Sequence, residues 1–269
     1  MKKTDRRRKI REWWEAPTTV SLLDKNMRRL ETDFVLGYLS GNDVFADFGC
    51  GGGESTVEYA KRVKSCLALE ESNRLRTVAA RRFKEERLAN VSLVKGDVLD
   101  LMRYEGRFTA VCTQRVVINF MTWAEQKRVL ANIHKSLRPG GRYIAVENTF
   151  EGFEALNRVR RGAGLDNIIL HDWHNCFLHY DKFMEYISDL FVVEAERTFN
   201  LYYLLTRVFM NMFAKFEGFG ATAKRDPIFD AADAAARHLH ELIGNDVKIK
   251  IAKGTSFGPI QGFVLRKIT

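Results

Sequence analysis

The stretch Asp47-Phe-Gly-Cys-Gly-Gly-Gly53 decides the fold. It follows the apolar run that opens at Val44, which reads as a buried strand, and it opens an amphipathic segment of helical pattern over about 54–64. An acidic residue that ends a strand, followed by Gly-x-Gly-x-Gly, has a physical rationale. The glycines let the backbone turn tightly and approach a ligand, and the helix start supplies free amide donors and a favourable potential for a carboxylate. Asp47 can attract an ammonium group at the ligand's other end, directly or through water.

Working outward, short apolar runs alternate with charged amphipathic stretches. The runs are Val44–Phe48, Cys66–Leu69, Val91–Val94, Phe108–Cys112 and Arg142–Val146, and helices are expected around 54–64, 73–87, 122–136 and 151–161. That alternation is what a parallel sheet with helical crossovers requires. Thr122-Trp-Ala-Glu125 fits a capping box, and Leu137-Arg-Pro-Gly-Gly141 stops the helix it opens. Residues 10–39 read as helical. A further strand at Phe191-Val-Val-Glu-Ala-Glu precedes two helices, about 200–216 and 227–243, the second opened by Asp226-Pro227, and Gly262-Phe-Val-Leu-Arg reads as the last strand. The expected fold is α/β: a Rossmann-like, seven-stranded, mostly parallel sheet with helices on both faces. The expected organisation is an N-terminal helical segment (1–42), the core (43–199), a helical cap (200–245) and a C-terminal strand completing the sheet (246–269).

Two later positions narrow the ligand. Glu70 ends the second apolar run, where a carboxylate can accept both ribose hydroxyl protons, and Gly96-Asp97-Val98 follows the third, where an aspartate can receive an adenine amine proton. A dinucleotide fingerprint fails here. Counted from Gly49 it needs glycine where Glu54 stands, and counted from Gly51 it needs a small residue where Thr56 stands.

The ordered set Asp47-x-Gly-x-Gly-x-Gly, Glu70, Gly96-Asp97, Val111-x-x-Gln-Arg and Leu137-x-Pro-Gly-Gly resembles the class I S-adenosylmethionine-dependent methyltransferases over roughly residues 43–150. The resemblance implies S-adenosyl-L-methionine as cofactor. It implies that Asp47, Gly49, Cys50, Gly51 and Gly53 line its methionine moiety, that Glu70 with Glu71 holds the ribose, that Asp97 and Val98 contact the adenine, and that Gln114 belongs to the same wall. The remainder is similar to methyltransferases of bacterial polysaccharide and glycan-modification clusters through Arg115-x-x-Ile-Asn119, Glu147-Asn148, His174-Asn175 and Phe263-Val-Leu-Arg-Lys267. This sequence departs from the common form in having Glu70-Glu71 where an aspartate usually holds the ribose.

Methyl transfer from a sulfonium is an in-line displacement, so alignment supplies much of the catalysis, and a sugar hydroxyl additionally needs a proton acceptor. The candidate catalytic residues are His174, Glu147 and Arg115. His174 lies in a long loop, 162–178, following the strand whose carboxyl end should face the cofactor, and is either a base or a histidine bonded within a tryptophan-rich lid. Glu147 ends the fifth strand and is either a base or a buried partner for Arg115 or Arg158. Arg115 has the fork geometry that suits a carboxylate or phosphate. His171-x-x-His174 with Asp172 lacks a third well-placed ligand, so no metal is expected. Tyr202, Tyr203 and Phe209 either stack on a sugar or wall the pocket, or simply pack the core.

Net charge is +9, and the first residues are basic. Either the run at 2–11 is a solvated tail or it meets an anionic partner. The expected acceptor is a small polar or anionic molecule such as a sugar or glycan. RNA is the alternative partner, although no RNA-binding module or base-methylation motif is recognisable. A non-catalytic adenosyl-binding module is the third reading. The four cysteines form no CxxC pair, and no stretch reads as a secretory signal or a transmembrane span, so a reducing cytoplasm is expected.

Overall fold

A computed structural model describes residues 3–18, 23–171, 173–216, 227–245, 247 and 256–268. The chain opens with α1 (Lys3–Glu15) and α2 (Lys25–Leu36), then alternates through β1 (Val44–Phe48), α3 (Glu54–Arg62), β2 (Ser65–Glu70), α4 (Asn73–Glu85), β3 (Val91–Lys95), β4 (Phe108–Gln114), α5 (Trp123–Ser136) and β5 (Leu137–Asn148). After α6 (Phe150–Gly162), α7 (Tyr180–Ser188) and β6 (Phe191–Thr198) come three helical pieces, α8 (Asn200–Tyr203), α9 (Met210–Phe216) and α10 (Pro227–Ile243), and finally β7 (Ile260–Lys267).

One seven-stranded sheet results, in the order β3-β2-β1-β4-β5-β7-β6. Strands β1 to β5 pair in parallel, and β7 runs antiparallel between β5 and β6. The expected α/β class, a mostly parallel seven-stranded sheet flanked by helices, is what the chain adopts. Alternate side chains leave opposite faces, so Phe45, Cys66, Cys112, Ile144 and Val264 pack with α2 and α3. Ala46, Phe48, Val111, Tyr143 and Phe263 pack with α5 and α7. A sheet covered on both faces needs strands with continuous apolar runs, which is how 44–46 and 66–69 read.

Three local features differ from expectation. The helical stretch foreseen over 10–39 is two helices: α1 ends at Glu15, just before Pro17, which cannot supply a helical N–H, and α2 restarts where Asp24 accepts the amide of Met27 at 2.8 Å. Leu22, counted toward that helix, lies outside the described residues, as do Asp172 and Asp226. Helix α7 was not foreseen; only Phe183 and Ile187, one turn apart, are buried on its nine residues. The helix expected over 200–216 is interrupted by a π-helical segment, Leu204–Phe209. The capping box holds, with Thr122 Oγ1 accepting the amide of Glu125 at 3.2 Å and donating to its carboxylate at 3.1 Å.

Among the described residues, no helix is long and apolar enough to cross a membrane.

Candidate active site

The carboxyl ends of β1, β2, β4 and β5 open onto one cavity of about 920 Å³. Open α/β sheets place ligands here, because the strand order reverses beside β1 and the crossovers diverge. Asp47, Gly49, Cys50, Gly51, Glu70, Glu71, Asp97, Val98, Gln114, Arg115 and His174 all line it.

The glycine loop is built for close approach. Gly49, Gly51 and Gly53 have φ of 79°, 57° and 78°. Around Gly51 nothing lies within 4 Å of where a Cβ would stand, so its backbone faces open space. Gly53 serves a different need. A Cβ there would meet the Phe83 ring at 2.6 Å, so Gly53 lets α3 pack on α4, and it does not line the cavity. No side chain caps the start of α3, which leaves its first-turn amides for an anionic group. Glu54 in that turn is matched by Arg82 at 2.9 Å.

The acidic side chains are prearranged. Thr56 donates to Asp47 at 2.6 Å, and burial pushes the Asp47 carboxyl up to about 7. Glu70 accepts the amide of Gly51 at 2.9 Å and that of Ser72 at 2.8 Å; burial raises its carboxyl against those two bonds. Asp97 accepts the amide of Leu99 at 2.9 Å and a hydrogen from Arg7 at 2.7 Å. A buried carboxyl at Asp47, the uncapped amides of α3 and the carboxylates of Glu70 and Asp97 therefore converge on one cavity.

Elsewhere on the cavity wall, polar atoms stand without partners among the described residues. Gln114 Nε2, Asn119 Oδ1, Asn148 Oδ1 and His174 Nδ1 are buried and find no hydrogen-bond partner among the described residues, and all four residues line the cavity. The orientation of Asn119 is fixed, since its amide hydrogens go to the carbonyls of Arg115 at 2.7 Å and Val116 at 3.2 Å, and its oxygen must be the open atom. His174 sits between Trp13 and Trp173, with ring centroids 4.4 and 4.2 Å away, and its Nε2 lies 3.1 Å from Asn175 Nδ2. Burial, helped by His171, holds the imidazole below its ordinary range, so it is neutral at pH 7.

Glu147 stands apart from the cavity wall. It has no exposed surface, accepts the Thr113 hydroxyl at 2.8 Å, and accepts the amides of Val116 and Val117 at 3.1 Å each. Those bonds brace the turn that begins at Arg115, whose φ is 55°, and so fix the short 3-10 turn Val117–Asn119. Arg115 pairs with Glu31 of α2, not with Glu147. Arg158, the other partner considered for Glu147, does not line the cavity.

Residues that sequence reasoning did not assign also line the cavity. Arg7, Arg11, Trp13 and Glu15 come from α1, Arg28 from α2, and Arg207 from the helical stretch after β6, which also brings Tyr203, already weighed for the pocket wall. The signal in α1 was present: Arg7, Ile10, Arg11 and Trp14 fall on one helical face.

Residues 45–141 match the family model of a methyltransferase domain. The demethylmenaquinone methyltransferase of Lactococcus lactis is 25% identical over 48% of this chain and 51% of its own length. The probable cobalt-precorrin-6B C(15)-methyltransferase of Methanothermobacter thermautotrophicus is 28% identical over 46% of this chain and 70% of its own length. The chain thus spans about half the length of the first of these relatives. Among solved structures, the geranyl diphosphate C-methyltransferase of Streptomyces coelicolor, in complex with S-adenosyl-L-homocysteine, superposes with a TM-score of 0.58 at 15% identity. The superposition covers 99% of this chain and 98% of that one, and it speaks to the fold. The family match to a methyltransferase domain is thus confined to the central portion of this chain.

Proposed function

We propose that the protein is an S-adenosyl-L-methionine-dependent methyltransferase that methylates a hydroxyl on a small, uncharged polar acceptor of the sugar or glycan class. The observation that carries this reading is the union, in one cavity, of the glycine loop with its carboxylates and four buried hydrogen-bonding atoms that lack partners among the described residues. A buried acceptor such as Asn119 Oδ1 favours a ligand that donates a hydrogen. The charge balance favours a neutral ligand over an anionic one. Of the five arginines lining the cavity among the described residues, Arg7, Arg11, Arg115 and Arg207 are matched by Asp97, Glu71, Glu31 and Asp24, and Arg28 is disfavoured as a cation by burial and by Arg115 and Arg82, which Glu54 and Glu31 only partly offset.

The cofactor, when bound, supplies an electrophilic methyl group. Asp47, the loop 49–51 and the start of α3 hold its amino acid end, Glu70 and Glu71 its ribose, and Asp97 and Val98 its base, with Gln114 on the adjoining wall. Asn119 and Asn148 orient the acceptor hydroxyls. His174 takes the hydroxyl proton at Nδ1; accepting there requires the ring's own hydrogen on Nε2, with the Asn175 amide presenting its oxygen to it. Glu147 and Arg115 act on the turn that carries Asn119 and do not exchange protons with the acceptor. The helical stretches at 200–216 and 227–243 cap the acceptor half, a reading supported by Tyr203 and Arg207 on the cavity wall.

Incubation with S-adenosyl-L-methionine bearing a labelled methyl group and fractionated cell extract tests the reading. Label in neutral saccharides or other polyols is expected. Label recovered only in RNA or in phosphorylated acceptors would overturn the acceptor class, and cofactor binding without turnover on any fraction would favour a non-catalytic adenosyl-binding module.

A further inference from the structure

The basic start of the chain is turned toward the cavity. Arg7 of α1 donates to Asp97 at 2.7 Å, and Arg11, one turn on, lies 2.5 Å from the Glu71 carboxylate and 3.9 Å from that of Asp97. Glu15 accepts the amides of Asn73 at 2.7 Å and Arg74 at 3.1 Å, supplying a second cap for α4, while Arg74 returns a bond to the Trp14 carbonyl at 3.0 Å. At the same end of α1, the Trp13 ring lies against His174 and 5.9 Å from Trp173, and the Lys9 ammonium stands 4.8 Å over the Trp173 ring. One helix therefore spans the nucleoside side of the cavity and the loop that carries His174.

The charges explain why those side chains are arginines. Glu71 and Asp97 are two carboxylates brought together at the ends of β2 and β3. Burial and the Asp97 charge push the Glu71 carboxyl up, and Arg11 and Arg7 oppose that rise. A solvated tail would scatter its charge; here Arg7 and Arg11 lie four residues apart on one face, each against an acid that belongs to another part of the chain.

We propose that α1 is a wall of the cofactor site, with Arg7 and Arg11 holding Asp97 and Glu71 in place for the adenosyl ligand and Trp13 joining that wall to the His174 loop. This rests on the cofactor reading given above. The basic run then serves the protein's own ligand and is not an arm for nucleic acid.

Calorimetric titration of the full chain with S-adenosyl-L-homocysteine tests it. Loss of two partly exposed charge pairs and of the closed wall is expected to weaken binding about tenfold in Arg7→Ala/Arg11→Ala. The Arg7→Lys/Arg11→Lys protein should recover part of that loss. Arg8→Ala, at an exposed side chain that lies 3.7 Å from Glu12 and does not line the cavity, should bind like the wild type. Both arginines are a third or more exposed, and a thermal melt of each variant reports whether it is folded. Independently of any variant, the ligand should slow tryptic cleavage within α1 of the wild type. A double variant that binds as tightly as the wild type, or α1 cleaved equally fast with and without ligand, would overturn the proposal. A wild type that does not bind the ligand at all would overturn the cofactor reading with it.

Discussion

Arg115 and Glu31 form an ion pair in which the carboxylate has no exposed surface and the guanidinium is largely covered. Burial opposes the Arg115 charge, and Glu31 more than offsets it, leaving the guanidinium above its ordinary value. Burial pushes Glu31 up against the pull of Arg115 and Arg28. Removing one partner strands the other. Glu31→Gln should cost about 3–5 kcal/mol of folding stability in chemical denaturation, and Glu31→Gln/Arg115→Met should cost less than the single change. Equal losses in the two proteins would show that the pair is not the source of the effect.

Glycines 49 and 51 both carry positive φ, yet they should respond differently to a methyl group. At Gly49 a Cβ meets Val116 Cγ2 at 2.5 Å; at Gly51 it meets nothing. Gly51→Ala should therefore cost only the left-handed backbone penalty, about 1–2 kcal/mol, and should chiefly weaken S-adenosyl-L-homocysteine binding by reaching into the ligand's space. Gly49→Ala should add about 1–3 kcal/mol of overpacking, visible in its thermal melt without any ligand. A Gly51→Ala protein that binds normally would mean that the ligand does not approach this backbone.

The cofactor half was legible because each of its residues punctuates an apolar run. Asp47 closes β1, Glu70 closes β2, and Gly96-Asp97 follows β3, so strand ends in the sequence are strand ends in space. The acceptor half was less legible, because direction along the end of β5 is not periodic. Tyr143 through Val146 are buried, and so are Glu147 and Asn148, so alternation gives no clue that Glu147 turns to Thr113 while Asn148 meets the cavity. The partners of α1 could not be read locally either. Arg7 and Asp97 are separated by 90 residues, and charge alone does not tell a solvated tail from an internal wall.

His174 should titrate below the ordinary imidazole range because burial disfavours its charged form. A histidine that accepts a proton must be neutral, so turnover should fall only as pH drops through that lowered value. Nitrogen-edited NMR of the imidazoles gives the value without an acceptor. Once an acceptor is in hand, His174→Ala should lower kcat about 10²–10⁴-fold and remove the acidic limb of the pH profile. Retention of that limb would move the base elsewhere.

His240, on α10, is buried with neither ring nitrogen bonded among the described residues, and burial, then Arg197, pushes it down to about 4. The unfolded chain takes up this proton near pH 6.5, while the folded chain resists until about 4. Stability from this group is therefore complete above pH 6.5 and lost as pH falls toward 4. Relative to pH 7, His240→Leu should gain about 3 kcal/mol on the wild type by pH 4, measured in urea at both values. A constant difference between the two proteins would contradict the lowered value.

Asp47 provides the sharpest link between the empty and loaded forms of the site. Burial raises its carboxyl to about 7, Thr56 opposes that rise, and Glu70 adds to it. If the carboxylate faces the ammonium of the bound ligand, only its ionised form binds well, so affinity for S-adenosyl-L-homocysteine should increase as pH rises and level off above 7. At pH 6 the ionised fraction is about one tenth, so binding there should be about tenfold weaker than at the plateau, with nearly one proton released per ligand bound. Titrations in buffers of different ionisation enthalpy count that proton directly. Asp47→Asn keeps the shape and removes the charge; its binding should be weak and nearly flat over the same pH range. A wild-type affinity that falls with rising pH, or an Asp47→Asn protein with the wild-type slope, would assign the titration to Glu70 or to another carboxylate of the cavity.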